Sequence, residues 1–243
     1  MKAPAITLTG SASYGAVPVF GPLNFAAAAG AWTCLLGSSG VGKSTLLRLL
    51  AGLDAGVIFD GTISCNDGAP LGSRAALMLQ SDMLLPWLNV LQNVTLGARL
   101  RGEKADPVRA TQLLNDVGLA GFARRMPNTL SGGQRQRVAL ARTLMEDRPV
   151  MLLDEPFSAL DARNRAAMQE LAARLFSGRT VVLVTHDPYE AARLGTSVVV
   201  MTKAGLQVLK PPAAPVIRAY DSPEVMKFAA KLLTLLHSES DAA

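Results

Sequence analysis

Cysteine, aromatic residues and long apolar runs are scarce in this chain of 243 residues. The only two cysteines, Cys34 and Cys65, form no C-x-x-C pair, and no cluster of metal-ligating residues accompanies them. The sequence therefore offers no spacing typical of a zinc site or of a dithiol redox centre. Cys34 lies in an apolar run, so we expect it to be a small core residue.

Charge is absent from residues 3–42, which contain no Asp, Glu, Lys or Arg. This neutral stretch does not predict a membrane span, because Pro4, Pro18 and Pro22 interrupt it before about 20 apolar residues accumulate. The start of the chain also lacks the clean apolar core of a secretory signal. We therefore expect a cytoplasmic protein that meets a membrane only through a partner.

The formal net charge of +5 could indicate a nucleic-acid partner. The basic residues are nevertheless scattered, apart from Arg124-Arg125 and the pair Arg135 and Arg137. No basic surface interleaved with aromatic residues is evident, and a solvated basic surface explains the charge more simply. We therefore expect no nucleic-acid partner.

Residues 37–44 read GSSGVGKS and match the pattern G-x-x-x-x-G-K-[ST]. An apolar run that predicts a buried strand precedes them, and a helical pattern follows. A glycine-rich turn in that position aims backbone N–H groups at a phosphate, with the helix N-terminus adding positive charge. Lys43 would then reach the β- and γ-phosphates, and Ser44 would bind Mg²⁺. The predicted nucleotide-binding residues here are Gly37, Ser38, Ser39, Gly40, Val41, Gly42, Lys43, Ser44 and Thr45.

A second chemical position is Asp154-Glu155, which follows the apolar run VMLL at residues 150–153. A continuous apolar run of this kind is typical of a parallel strand covered on both faces. Asp154 would hold Mg²⁺, and Glu155 would polarise the attacking water as the catalytic base. The alternative is a surface Asp-Glu pair, which the preceding strand and the following Pro156 disfavour.

Residues 130–134 read LSGGQ, and with the motifs above they make the chain resemble the nucleotide-binding subunits of the ATP-binding-cassette (ABC) family. In that family the loop opens a helix and binds the γ-phosphate held by the opposite subunit of a head-to-tail dimer. The resemblance thus implies that Ser131, Gly132, Gly133 and Gln134 contact ATP. Ser131 also fits an ordinary helix N-cap, and the two interpretations are compatible.

Four further positions take their expected roles from the same resemblance. Gln80 matches the glutamine that touches Mg²⁺ and relays the nucleotide state, so we also count it with the catalytic residues. Asp161 ends the loop SALD at residues 158–161, which contacts the other subunit, and His186 matches the switch histidine on the γ-phosphate. Tyr14, 23 residues before the phosphate loop, matches the aromatic that stacks on adenine, with Phe20 as the weaker alternative.

The resemblance, together with the order of the strand and helix patterns, implies a single ABC ATPase domain over residues 1–243. We expect a P-loop NTPase core of the α/β class, with a mostly parallel sheet, an N-terminal antiparallel β part and an inserted helical subdomain. Residues 1–80 and 147–210 would form the core, and residues 81–146 the helical subdomain. Residues 216–243 would be a C-terminal helical tail.

Residues 83–90 read MLLPWLNV and are called here the docking segment. In the family, the region between Gln80 and Val90 helps to accept a short cytoplasmic helix of the membrane permease. The LLPW sequence resembles the subgroup that imports nitrate, sulfonates, taurine or thiamine precursors. Exposed aromatic and leucine side chains suit a docking site. The alternative is that Trp87 packs the helical subdomain onto the core.

The resemblance therefore implies an ATP-hydrolysing subunit at the cytoplasmic face of a membrane importer. ATP and Mg²⁺ would bind between two copies, permease subunits would dock at the docking segment, and a solute-binding protein would complete the system. The alternative is an ABC ATPase that drives a membrane machine for mechanical signalling or lipoprotein handling. The solute and the direction of transport are not encoded in these motifs.

Overall fold

The computed structural model describes residues 2–53 and 56–240, so the two ends of the predicted domain, residue 1 and residues 241–243, lie outside its described part. Within that part, no helix is both long enough and apolar enough to cross a membrane.

The larger sheet has six strands in the order β5-β6-β7-β3-β8-β9. Strands β3, β6 and β7 are buried at every residue, as expected for apolar strands covered on both faces. β3 pairs in parallel with β7 and β8, β6 pairs in parallel with β7, and β8 pairs antiparallel with β9. The strands are β3 Trp32–Gly37, β5 Ala75–Met78, β6 Val150–Asp154, β7 Thr180–Val184, β8 Ser197–Thr202 and β9 Gly205–Leu209.

A smaller antiparallel sheet has the order β2-β1-β4, with β1 Ile6–Tyr14, β2 Val17–Ala27 and β4 Ile58–Cys65. Gly10 faces Gly61 across the β1–β4 pair. A Cβ atom on Gly10 would lie 2.3 Å from the Asp60 carbonyl oxygen, so this close approach of two strands needs glycine.

Eight helices are described, and four of them, α2 to α5, come between β5 and β6 in the chain. Two 3₁₀ turns, Gly72–Arg74 and Pro127–Thr129, complete the elements. The helices are α1 Lys43–Leu50, α2 Val90–Val94, α3 Leu96–Leu100, α4 Pro107–Asp116, α5 Gly132–Met145, α6 Ala162–Leu175, α7 Pro188–Leu194 and α8 Pro223–Ser240.

The chain divides into two compact units. The first contains the described residues up to Leu77, Pro149–Asp154, and those from Phe176 onward. Its core joins side chains of both sheets to the buried face of α1, including Leu8, Phe25, Leu35 and Leu46. The first unit therefore carries the phosphate loop on a rigid base.

The second unit contains Met78–Arg148 and Glu155–Leu175. In it, α2 and α4 pack on α5, whose residues Val138, Ala139 and Ala141 are almost fully buried. The structure confirms the predicted fold class: an α/β protein with a mostly parallel sheet, an antiparallel sheet in the N-terminal part, and helices inserted between two strands. The finer domain boundaries stay a prediction.

Candidate functional site

The phosphate loop joins the end of β3 to the start of α1, as predicted. Gly40 and Gly42 have φ angles of 80° and 107°, in the left-handed region that favours glycine. A Cβ atom on Gly42 would also lie 2.9 Å from Phe20 Cδ1, and one on Gly37 would lie 2.3 Å from the Met201 carbonyl oxygen. The path of the loop therefore depends on these glycines.

Lys43 begins α1 and turns its ammonium group back over the loop. Its Nζ donates to the carbonyl oxygens of Gly37 at 2.8 Å and Ser38 at 2.7 Å. The first turn of α1 carries no acidic side chain, so the helix's own first turn does not offset the positive end of its dipole. This arrangement of cation and helix N-terminus is suited to binding an anion.

Tyr14 and the phosphate loop line one cavity of about 370 Å³, together with Pro18, Val19 and the first turn of α1. The Tyr14 side chain is exposed, whereas Phe20 is buried against the loop glycine Gly42. Tyr14 therefore lies at this cavity, while Phe20 lines a second cavity, of about 550 Å³, that includes the loop residues 38–41. The choice of Tyr14 over Phe20 for adenine stacking stays a prediction.

Asp154 and His186 lie at the carboxyl edge of the large sheet, the edge at which the phosphate loop begins. In the parallel register Asp154 pairs with Val184, and Val184 pairs with Leu35 of β3. Asp154 is buried, and His186, two residues beyond Val184, is exposed. Within the first unit, the predicted phosphate, metal and switch positions thus follow neighbouring strands.

The backbone around His186 is held by side chains that our sequence analysis did not identify. Thr185 Oγ1 donates to the buried Glu190 carboxylate at 2.7 Å and accepts a hydrogen bond from the Asp187 N–H at 3.0 Å. Asp187 in turn caps α7 by accepting from Tyr189 N at 2.8 Å. A Thr at the end of a strand and a Glu inside a short apolar helix were the signals available in the sequence.

Gln80 and Glu155 contact each other in the second unit. Gln80 Nε2 donates to Glu155 Oε2 at 2.9 Å. Glu155 has a φ of 48°, which is rare for a residue with a side chain and costs about 1–3 kcal/mol. Both the N–H and the hydroxyl of Ser158 donate to the Glu155 carbonyl oxygen, at 3.3 and 3.0 Å, and help to hold this conformation.

The LSGGQ segment opens α5 through a reciprocal cap. Ser131 Oγ accepts from Gln134 N at 3.3 Å, while Gln134 Oε1 accepts from Ser131 N at 2.9 Å. The N-cap interpretation of Ser131 is therefore correct. A Cβ atom on Gly133 would lie 3.0 Å from Leu160 Cδ2, so the LSGGQ segment lies close to the 158–161 loop.

Asp161 caps α6 with both of its carboxylate oxygens bound to Asn164. The carboxylate accepts from Asn164 N at 2.9 Å and from Asn164 Nδ2 at 2.6 Å. Asn164 Oδ1 accepts a short hydrogen bond from Arg137 of α5. The hydrogen bonds from Asn164, the backbone one first, lower the pKa of the Asp161 carboxyl below its usual value. No sequence motif indicates that Asn164 and Arg137 take part in this hydrogen-bond network.

The sequence profile described as ABC transporter matches residues 20–158, which is more than half of the chain. The chain belongs to the ABC transporter family. It is an ATP-hydrolysing subunit of that family.

Curated relatives of this ABC cassette include importer subunits. An aliphatic sulfonates import ATP-binding protein, SsuB 1 of Rhodococcus jostii (strain RHA1), is 51% identical over 73% of this chain and 70% of its own length. SsuB 1 of Rhizobium johnstonii is 39% identical over 96% of this chain and 86% of its own length. An uncharacterized ABC transporter ATP-binding protein of Haemophilus influenzae is 46% identical over 79% of each chain.

Solved structures similar to this cassette include two of the bacterial ABC transporter cassette MJ0796. Its dimeric structure aligns with a TM-score of 0.74 at 28% identity, over 86% of this chain and all of that chain. A second dimeric structure, of a post-hydrolysis state bound to ADP and phosphate, aligns with a TM-score of 0.75 over the same shares. The likeness therefore spans both units of the ABC fold.

The predicted magnesium ligands of the cassette supply only oxygen atoms: a hydroxyl from Ser44, a carboxylate from Asp154 and an amide from Gln80. Mg²⁺ prefers oxygen ligands and is commonly bound by one or two carboxylates together with the phosphates of a nucleotide. In residues 2–53 and 56–240, no group of three or more His, Cys, Asp or Glu could hold a metal by itself. The donor set therefore fits a magnesium ion that is bound together with a nucleotide.

Proposed function

We propose that this ABC ATPase energises the import of aliphatic sulfonates. The observation that carries the proposal is the likeness to a sulfonate importer subunit along 96% of the chain. The LLPW sequence of the docking segment resembles that of the importers of nitrate, sulfonates, taurine or thiamine precursors. It therefore supports membership of this importer subgroup, which includes sulfonate importers. Nitrate, taurine and thiamine precursors are the competing solutes.

In this proposal the phosphate loop, Lys43 and Ser44 bind the triphosphate of ATP, and Tyr14 stacks on the adenine ring. The shared cavity of Tyr14 and the loop supports both roles. Asp154 and Ser44 hold Mg²⁺, which would neutralise phosphate charge when bound. The glycine-rich path of the loop, with the ammonium group of Lys43 over it, supports recognition of phosphates.

Glu155 is the proposed general base for the attacking water, and Gln80 orients its carboxylate through the 2.9 Å hydrogen bond. His186 is the proposed contact to the γ-phosphate. The hydrogen bonds of Thr185 and Asp187 on either side of it support a fixed backbone at that position.

Two copies of the chain are proposed to act as a head-to-tail dimer. Ser131, Gly132 and Gly133 of one copy would then contact ATP held by the phosphate loop of the other, and the 158–161 loop would lie at the same interface. The dimeric MJ0796 cassette supports this assembly. The cap at Ser131 leaves the start of α5 well ordered for a contact with an anion.

Permease subunits are proposed to bind the docking segment and hold the chain at the cytoplasmic face of the membrane. Met83 is 58% exposed and Trp87 is 69% exposed, which supports docking rather than internal packing of Trp87. An exposed tryptophan is a common anchor at protein interfaces. A solute-binding protein would deliver the solute to the permease.

The sulfonate proposal is tested by deleting the gene and supplying an alkanesulfonate as the only sulfur source. We expect growth to fail on the sulfonate and to continue on sulfate, and growth on nitrate or taurine to be unaffected. The wild-type gene should restore growth, and a Glu155→Gln gene should not. Normal growth of the deletion strain on alkanesulfonates would reject sulfonate as the solute.

The partners are tested by purifying tagged Glu155→Gln protein with ATP from gently solubilised membranes. A multi-span permease should co-purify with it. Recovery of a membrane protein with few spans and a large outer domain would instead support a mechanical or lipoprotein machine.

A further inference from the structure

Asp82 and Met83 form a turn where the docking segment begins, and the backbone of Met83 is strained. Met83 has a φ of 48°, although it is neither glycine nor asparagine, and its side chain is 58% exposed. Such a conformation persists only where surrounding interactions hold it. Because the Met83 side chain is more than half exposed, it packs little, and hydrogen bonds to the backbone of the turn are the main source of restraint.

Two arginines of α5 supply hydrogen bonds to this turn. Arg142 donates to the Asp82 carbonyl oxygen at 2.6 Å and to the Met83 carbonyl oxygen at 2.8 Å. Arg135 donates from Nε to the Asp82 carboxylate at 2.8 Å, and the other oxygen of that carboxylate accepts from Leu84 N at 3.1 Å. The planar guanidinium of Arg142 thus spans two consecutive carbonyl groups with two different nitrogens, Nη1 and Nη2, held in a fixed relative geometry.

The rest of the docking segment is held from the other side by Asn93 of α2. Asn93 is fully buried, and its Oδ1 accepts from Leu85 N at 2.8 Å. Its Nδ2 donates to the carbonyl oxygens of Leu85, Leu88 and Asn89 at 3.2, 2.9 and 3.1 Å. The backbone that carries the exposed side chains of Met83 and Trp87 is therefore hydrogen-bonded to both α5 and α2.

We propose that Arg142 is a positioning residue that fastens the docking segment to α5. Arg142 lies on the helix that begins at Ser131, and the turn it holds follows Gln80 by two residues. Gln80 is in turn bound to Glu155. A force applied to Met83 or Trp87 is thereby passed on to α5 and to the Gln80–Glu155 pair together.

The Arg142 guanidinium is largely removed from water, which is unfavourable for a charged group. Burial lowers the pKa of the Arg142 guanidinium, and the nearby carboxylates of Asp82 and Glu146 act in the opposite direction. An arginine that served only to solvate the surface would gain nothing from this position. The functional meaning of the coupling rests on the proposed docking of a permease, whereas the fastening itself is a property of this chain alone.

The fastening is tested by amide hydrogen exchange of the isolated protein, read at Leu84 and Leu85. In Arg142→Gln we expect both amides to exchange at least about tenfold faster, because the strained turn loses two charge-assisted hydrogen bonds. Arg142→Lys keeps the positive charge but not the two guanidinium nitrogens that bind the carbonyl groups. Its exchange rates should lie between those of the wild type and those of Arg142→Gln. Arg99→Gln removes an exposed arginine of α3 in the same unit and should leave these amides unchanged.

A second substitution separates fastening from general stability. Glycine adopts a φ of 48° without strain, so Met83→Gly in the Arg142→Gln background should return exchange at Leu85 to within about threefold of wild type. Loss of protection throughout α4 and α5, or no rescue by Met83→Gly, would overturn the proposal. If Arg142→Gln does not fold, the same pair of measurements is made with Arg142→Lys.

Hydrolysis by the isolated protein gives a readout that a purely structural role would not produce. We expect Arg142→Gln to lower kcat by about three- to tenfold and to leave KM for ATP unchanged, because the turn lies two residues after Gln80, which contacts the proposed base Glu155. A rise in KM by the same factor as the fall in kcat would contradict this role. Absence of ATP hydrolysis by the wild-type protein would instead sink the proposed function, while the exchange result would stand.

Discussion

Gln80 and Glu155, 75 residues apart in the chain, meet in a hydrogen bond of 2.9 Å between Nε2 and Oε2. Glu155 follows directly after Asp154, and its φ of 48° turns the backbone away from the strand direction at that point. A carboxylate that is held both by its backbone and by a neighbouring amide has little freedom to rotate. Such a fixed carboxylate suits a general base, whose reach to a proton depends on its position.

Replacement of Glu155 by glutamine should lower kcat for ATP hydrolysis by about 10²- to 10⁴-fold, because the amide cannot accept a proton. The substitution keeps the size of the side chain, so binding of ATP should stay within a few-fold of wild type. Steady-state ATPase assays and nucleotide binding by isothermal calorimetry measure the two effects. Glu170→Gln, at an exposed carboxylate of α6, is the matched control, and rapid turnover by Glu155→Gln would remove Glu155 from its role.

Thr185→Val should reduce hydrolysis through the position of His186. The valine has the same shape but loses the hydrogen bonds to Glu190 and Asp187, in a site where Thr185 is only 2% exposed. We expect a loss of about 1–3 kcal/mol in the free energy of unfolding, together with a lower kcat. Urea unfolding and ATPase assays measure these quantities.

The conservative variant Thr185→Ser retains the hydroxyl group and serves as the control. It should keep kcat near the wild-type value even if it loses some stability through the missing methyl group. Equal loss of kcat in the Ser and Val variants would show that the hydroxyl has no part in positioning His186.

Asn164→Ala should raise the pKa of the Asp161 carboxyl part of the way toward its usual value, because the variant loses the hydrogen bond from Nδ2 and keeps the one from the backbone N–H. In the folded protein the hydrogen bonds from Asn164 lower that pKa, so they contribute to the free energy of unfolding. The contribution is present above the pKa of the unfolded chain and is lost as the pH falls through the pKa of the folded protein. The variant should lose the part of this pH-dependent stability that comes from the Asn164 side chain. Titration of the Asp161 carboxyl carbon by NMR between acid and neutral pH measures the change.

Asp67 is the internal control for that titration. Its pKa is lowered first by a hydrogen bond from Arg74, which lies in the first unit and shares no partner with Asn164. The Asp67 carboxyl should therefore titrate alike in both proteins. A variant in which Asp161 keeps its wild-type titration would mean that the Asn164 side chain does not bind this carboxylate in solution.

Gly42→Ala should abolish tight ATP binding and destabilise the first unit. Alanine at a φ of 107° is strained by about 1–2 kcal/mol. Its Cβ would also lie 2.9 Å from the Phe20 ring, which adds a further cost of about 1–3 kcal/mol. Nucleotide binding and thermal unfolding measure the two consequences.

Gly68→Ala separates the two costs of the Gly42 substitution. Gly68 has a φ of 73°, but no atom lies within 4 Å of its added Cβ, so its variant is subject to backbone strain alone. We expect it to bind ATP normally and to lose less stability than Gly42→Ala. Equal losses in the two variants would argue against the packing of Phe20 on the loop.

The sequence by itself determined the α/β class and the family. The fold class and the family can be read from the sequence because short local patterns specify them. These patterns are apolar runs of strand length, a glycine-rich loop before a helix, and the LSGGQ segment. The order of the strands along the chain further predicted a mostly parallel sheet, which the structure confirms. The roles of the individual site residues stay predictions that the variants above test.

Only the tertiary structure decided which side chains support those motifs. Gln80 with Glu155, Arg137 with Asn164, and Arg142 with Met83 are pairs separated by 75, 27 and 59 residues, and no periodic pattern links them. The left-handed backbone at Met83 and Glu155 was equally hidden, because neither residue is a glycine. Hydrogen-bond partners and strained conformations depend on which helices pack together, and packing brings together residues that are remote in the chain.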